Sequence, residues 1–129
     1  MSPSEENKTV VRLLFEDAIN SGQLELLDTL FSPDFVDHST PDQPPGPAGV
    51  KTYLQDVRAG FPDLCVAIED LFAEGERVAV RTSWRGTHRG LYAGKAPTGR
   101  QAIRTLIQIF RVSGGKIVEE WNAGHGLLE

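Results

Sequence analysis

Apolar residues change rhythm part-way along this chain, from the spacing of helices to the spacing of strands. Val10, Leu13, Leu14 and Ala18 recur at three- and four-residue intervals, which predicts an amphipathic helix. Ser4 followed by Glu5 and Glu6 suits its positive end, and Asn20-Ser21-Gly22 closes it. Leu24, Leu27, Leu30 and Phe31 predict a short second helix stopped by Ser32-Pro33. Phe35 to Ser39 reads as a short extended stretch, and T-P-D-Q-P-P-G-P after it as a rigid loop. Val50, Tyr53, Leu54 and Val57 mark a third helix from about Ala48 to Ala59, ended by Gly60-Phe61-Pro62-Asp63.

Beyond Leu64 the period falls to two. Val78, Val80, Thr82 and Trp84 alternate with Ala79, Arg81, Ser83 and Arg85, as on a strand with two unlike faces. Ile103 to Val112 is apolar on both parities, which predicts a central strand covered on both sides. Glu74-Gly75-Glu76 and Ser113-Gly114-Gly115-Lys116 supply glycine where tight hairpins need positive φ. Helices first and strands afterwards predict an α+β domain with its helices on one face of an antiparallel sheet. At 129 residues the chain, 1-129, is read as a single domain.

Composition narrows the function classes. A net charge of −5 with scattered basic residues gives no phosphate-binding face, so no nucleic-acid partner is expected. No apolar run reaches the roughly eighteen residues of a membrane span, and the opening M-S-P-S-E-E-N-K has no apolar leader core. With one cysteine, Cys65, and no internal disulfide, a cytoplasmic location is the expectation. L-C-V-A-I reads as a strand, so Cys65 is expected to be a buried structural thiol. There is no Gly-rich phosphate loop, metal-ligand spacing or G-x-S-x-G turn, so neither a metal nor another cofactor is expected.

The connectors carry a resemblance. E-G-E-R-V-A-V-R, G-T-H-R-G, P-T-G-R and F-R-V…G-G-K-I-V-E-E-W, with F-V-D-H-S and F-P-D-L upstream, resemble the SnoaL-like polyketide cyclase (ester cyclase) family from about Val10 to Leu128. The resemblance implies a cone-shaped fold shared with ketosteroid isomerase and scytalone dehydratase. About four main strands would form a strongly curved sheet around a deep pocket closed by the N-terminal helices. It also implies a homodimer paired through the outer sheet face.

Candidate chemistry follows from the same comparison. Family members that cyclise polyketide esters carry an acid–base Asp four residues after the strand Trp; here Trp121 is that Trp and His125 stands at the Asp position. Imidazole titrates near neutrality without assistance, so His125 is the candidate catalytic residue, with an exposed histidine beside a fraying terminus as the competing reading. Gln108 stands where the family often has His; it cannot titrate but can hydrogen-bond a substrate carbonyl. Arg104 shares its strand parity and could face the same cavity. The family often holds His38 at the pocket; the alternative is a turn histidine partnered by Asp37. For His88, between glycines, a structural role is the stronger reading. Trp84, Trp121, Phe61 and Tyr53 could wall an apolar cavity, though aromatics also serve as ordinary core. Glu119 and Glu120 are read as serving different faces, with surface pairing to Arg81 or Arg111 as the safer role.

Three functions are therefore carried forward. The first is a cofactor-independent cyclase performing an intramolecular aldol condensation on a small lipophilic carbonyl compound. The second is a non-catalytic protein that holds a lipophilic ligand. The third is a hydrolase, dehydratase or isomerase on the same fold.

Overall fold

The computed structural model describes residues 2–124. Helix α1 (Pro3–Leu13) starts two residues earlier than its acidic residues suggest, because the Ser2 hydroxyl accepts from Glu5 N at 3.2 Å and caps it. The helix then widens into a π-helical segment, Leu14–Asn20, which turns Leu14, Phe15, Ala18 and Ile19 inward. A π segment is a rare deviation, commonly kept where a helix borders a functional site. Its exit is held from two sides: the Arg58 guanidinium donates to the carbonyls of Ile19 and Asn20, and the Asn20 amide brackets Val66 with two bonds of 2.8 Å. A 3₁₀ turn (Leu24–Leu26) and the brief helix α2 (Leu27–Leu30) lead into strand β1 (Phe31–Asp37). Helix α3 (Ala48–Gly60) follows the proline-rich loop.

Four longer strands complete the fold: β2 (Cys65–Glu74), β3 (Arg77–Thr87), β4 (Gln101–Ser113) and β5 (Lys116–Gly124). Their order is β1-β5-β4-β3-β2. The β2–β3, β3–β4 and β4–β5 pairs are antiparallel, as the hairpin signals predict. Gly75 (φ 58°) opens the first two-residue turn, and Gly114 and Gly115 (φ 58° and 78°) form the last. β1 adds a fifth strand, parallel to β5, so the curved sheet is mixed rather than wholly antiparallel. The α+β class stands, with the helices packed against one face of the curved sheet.

The core lies between the helices and the inner sheet face. Phe15 meets Trp84 and Phe110 edge-on, with centroids 6.4 and 6.2 Å away, and Phe31 meets Phe35 at 4.7 Å. Two sequence expectations fail on the opposite face. Ile103, Ile107 and Ile109 are 61%, 53% and 38% exposed, so β4 is covered on one side only in the single chain. Cys65 is exposed rather than buried: Val66, its neighbour, takes the inward position at the start of β2.

Candidate active site

A cavity of about 370 Å³ opens between the helices and the inner sheet face. Leu14, Phe15 and Ile19 of the π segment form one wall, while Trp84, Leu106 and Phe110 of the sheet form another. Thr40, Gln43 and Tyr53 also line it. Asp37, Gln108, Glu120 and Asn122 converge on it from β1, β4 and β5.

Glu120 is the central group. It is 7% exposed, and its Oε2 accepts from Gln108 Nε2 at 2.8 Å and from Asn122 Nδ2 at 3.0 Å. Asp37 is its register partner across the parallel β1–β5 pair and lines the same cavity. Burial, then the negative charge of Asp37, push the Glu120 carboxyl up to about 7, against the pull of the two amide bonds. Such a carboxyl exists in both protonation states near neutrality and can give or take a proton. Asp37 is itself tied down, its Oδ1 accepting from Ser39 N at 2.8 Å.

A local irregularity aims Glu120 inward. Arg111 pairs with Glu119 and Val112 with Ile117, so Val118 is an extra residue in β5. A bulge of this kind exchanges the faces of every residue beyond it. Ile117 is fully buried before the bulge; after it Glu120 and Asn122 face the cavity. Glu119 faces outward, where Arg111 bonds it at 3.1 Å and holds its carboxyl below the usual range. Adjacent glutamates thus shift in opposite directions.

The sequence model of the SnoaL-like polyketide cyclase family matches residues 9–125. The chain belongs to that family. Among similar solved structures is IdmH from Streptomyces antibioticus, described as a candidate polyketide cyclase. It is 36% identical over 92% of this chain and 91% of that one, with a TM-score of 0.78. AclR from Streptomyces galilaeus, described as a candidate hydroxylase, is 27% identical over 95% of this chain and 90% of that one, with a TM-score of 0.81. TsrD from Streptomyces laurentii shares the fold at a TM-score of 0.86, with 22% identity over 96% of this chain and 91% of that one. A search of curated protein sequences finds no significant match.

In this SnoaL-like chain, three of the residues singled out from sequence line the cavity: Gln108, Trp84 and Tyr53. His125 lies outside the described residues. His38 and Trp121 stand together off the cavity, stacked with centroids 4.9 Å apart, with Arg77 over the Trp121 ring at 5.1 Å. His38 Nε2 is 3.9 Å from Glu119, on the outward side of the bulged strand. Arg104 is not among the cavity-lining groups, and its Nη1 donates to the Ile103 carbonyl at 2.8 Å. Phe61 is fully buried away from the cavity, stacked on His88 at 5.3 Å and edge-on to Tyr92 at 5.4 Å. His88 is 1% exposed with Nδ1 3.2 Å from Thr98 Oγ1, which fits its structural reading. Glu120, Asp37 and Asn122 are the cavity groups that sequence reasoning missed. Among the described residues no group of three or more His, Cys, Asp or Glu side chains is placed to hold a metal ion. Among the described residues no helix is long and apolar enough to cross a membrane.

Proposed function

We propose that the chain is a cofactor-independent enzyme of the polyketide-cyclase type, acting on a small lipophilic carbonyl compound, with Glu120 as its general acid and base. The observation that carries this reading is a buried carboxyl, held by two amides beside Asp37, in the wall of a cavity whose other walls include Phe, Leu, Ile and Trp side chains. The Glu120 carboxylate removes a proton from a carbon beside a carbonyl. The resulting enolate attacks a second carbonyl carbon of the same molecule, closing a ring, and the new alkoxide takes the proton back from Glu120. Gln108 and Asn122 hold the carboxyl in place through both steps. Holding both reacting ends in contact can contribute on the order of 7–11 kcal/mol, so the protein's main task is folding the substrate. The exposed outer-face residues Phe72, Ile103, Ile107 and Ile109 favour a homodimer packed through that face.

Proton abstraction can be read without the natural substrate. In D₂O, NMR follows deuterium uptake at the α-carbon of 1-tetralone, an apolar ketone of suitable size. Wild-type protein is expected to accelerate exchange over buffer. Glu120→Gln should lose about 10²–10⁴-fold of that rate, the usual share of a positioned acid–base group, while His125→Ala keeps it. Loss of exchange in His125→Ala with retention in Glu120→Gln would return the role to the histidine. Tight binding of the ketone with no exchange above buffer would favour a ligand-holding protein instead.

A further inference from the structure

Gln108 is 8% exposed, and only one end of its amide is accounted for. Its nitrogen donates to Glu120 Oε2 at 2.8 Å. Its oxygen is buried with no hydrogen-bond partner among the described residues. The orientation has a cause: a carboxylate can only accept, so the amide must turn its nitrogen toward Glu120 and its oxygen elsewhere. Asn122, which donates to the same carboxyl oxygen, fixes that oxygen as the acceptor of the pair. A lone buried acceptor is costly, and buried polar groups are normally paired. Gln108 lines the cavity, so an occupant seated against it is placed to pair that oxygen after a small turn of the amide.

We propose that Gln108 is a specificity residue whose Oε1 accepts a hydrogen bond from the ligand, so that the cavity selects carbonyl compounds that also carry a hydroxyl, phenolic or enolic. The proposal rests on the cavity being the ligand site, as in the preceding section, but not on Glu120 performing catalysis. It reverses the sequence-level expectation that this glutamine would act on a substrate carbonyl, which needs a donor. A ligand without an O–H leaves Oε1 unpaired beneath it, and a site built around a hydrogen bond discriminates against the analogue that lacks it.

Two probes of nearly equal shape test this: 2-naphthol, which can donate, and 2-methoxynaphthalene, which cannot. Isothermal titration on the full chain at pH 8, where Glu120 is ionised and 2-naphthol still keeps its proton, should show 2-naphthol binding at least about fivefold more tightly, the low end of the cost of an unpaired buried acceptor. Gln108→Met keeps the length of the side chain without the acceptor, and the preference should fall below about twofold. Equal binding of the two probes by wild type overturns the proposal, and this result does not depend on any variant folding. Retention of the preference in Gln108→Met also overturns it and reassigns the donor contact to Glu120. Because tetralone exchange reads Glu120 and the naphthol pair reads Gln108, either reading can fail while the other holds.

Discussion

Replacing Glu120 by glutamine should make the protein more stable at alkaline pH, by an amount that the site's geometry sets. Burial and Asp37 lift the carboxyl from 4.5 to about 7 in the folded chain. The folded state therefore holds a proton that the unfolded state has already released across that window. Stability falls wherever the folded state binds more protons, so wild type loses stability as pH rises from about 4.5 to about 7 and levels off above. Each pKa unit corresponds to about 1.4 kcal/mol, so the whole shift is worth about 3 kcal/mol. Glutamine at 120 keeps an oxygen for Gln108 and Asn122 but cannot ionise, which removes this loss.

Urea unfolding followed by circular dichroism, at steps from pH 4.5 to 8.5, measures the difference between variant and wild type. Taking the difference cancels carboxyls common to both, including Asp63 and Glu119, whose folded values are lowered and whose contributions vanish only at more acid pH. The variant's relative stability should rise by about 3 kcal/mol across the range, equivalent to roughly 10 °C in melting temperature for a domain of this size. A difference that stays flat with pH would mean that Glu120 ionises freely in the folded state, and the acid–base reading would fall with it.

Three shorter tests address the surroundings. Asp37→Asn removes the negative charge opposite Glu120, so the carboxyl's apparent pKa, followed by ¹³C NMR of labelled glutamate, should fall; no change would remove Asp37 from the site. Gly90→Ala places a methyl 2.1 Å from the Ala59 carbonyl oxygen, where backbone cannot yield. It should cost about 1–3 kcal/mol in chemical unfolding and loosen Tyr92 from the cavity wall, whereas wild-type stability would show that the loop is not held there. Ile107→Lys sets a charge on the exposed face of β4. If the proposed homodimer forms through this face, sedimentation velocity should show a dimer for wild type and a monomer for the variant, and an unchanged mass between the two would remove the interface from this face.

How much of this was legible in the sequence turns on one residue in β5. Alternation assigned Glu119 and Glu120 to different faces, but which face was inward depended on what came before. Ile117 is apolar and fully buried, and a regular strand continued from it would carry Glu119 and Trp121 into the cavity. The bulge at Val118 reverses this, and nothing local announces it: Val118 is β-branched, and no glycine flags the irregularity. His38 was misplaced for a linked reason, since β1 pairs parallel to β5 and the Asp37–Glu120 register turns Asp37 inward and His38 toward Trp121. The hairpins were readable because their glycines are required by backbone geometry, and the helices because their periodicity is local. Burial of a carboxyl in the cavity needed less than the register did. Two consecutive glutamates on a strand must place one on each face, so either phase sends a carboxyl into the apolar interior. What the bulge decides is which glutamate shares its proton, and which pairs with Arg111 outside.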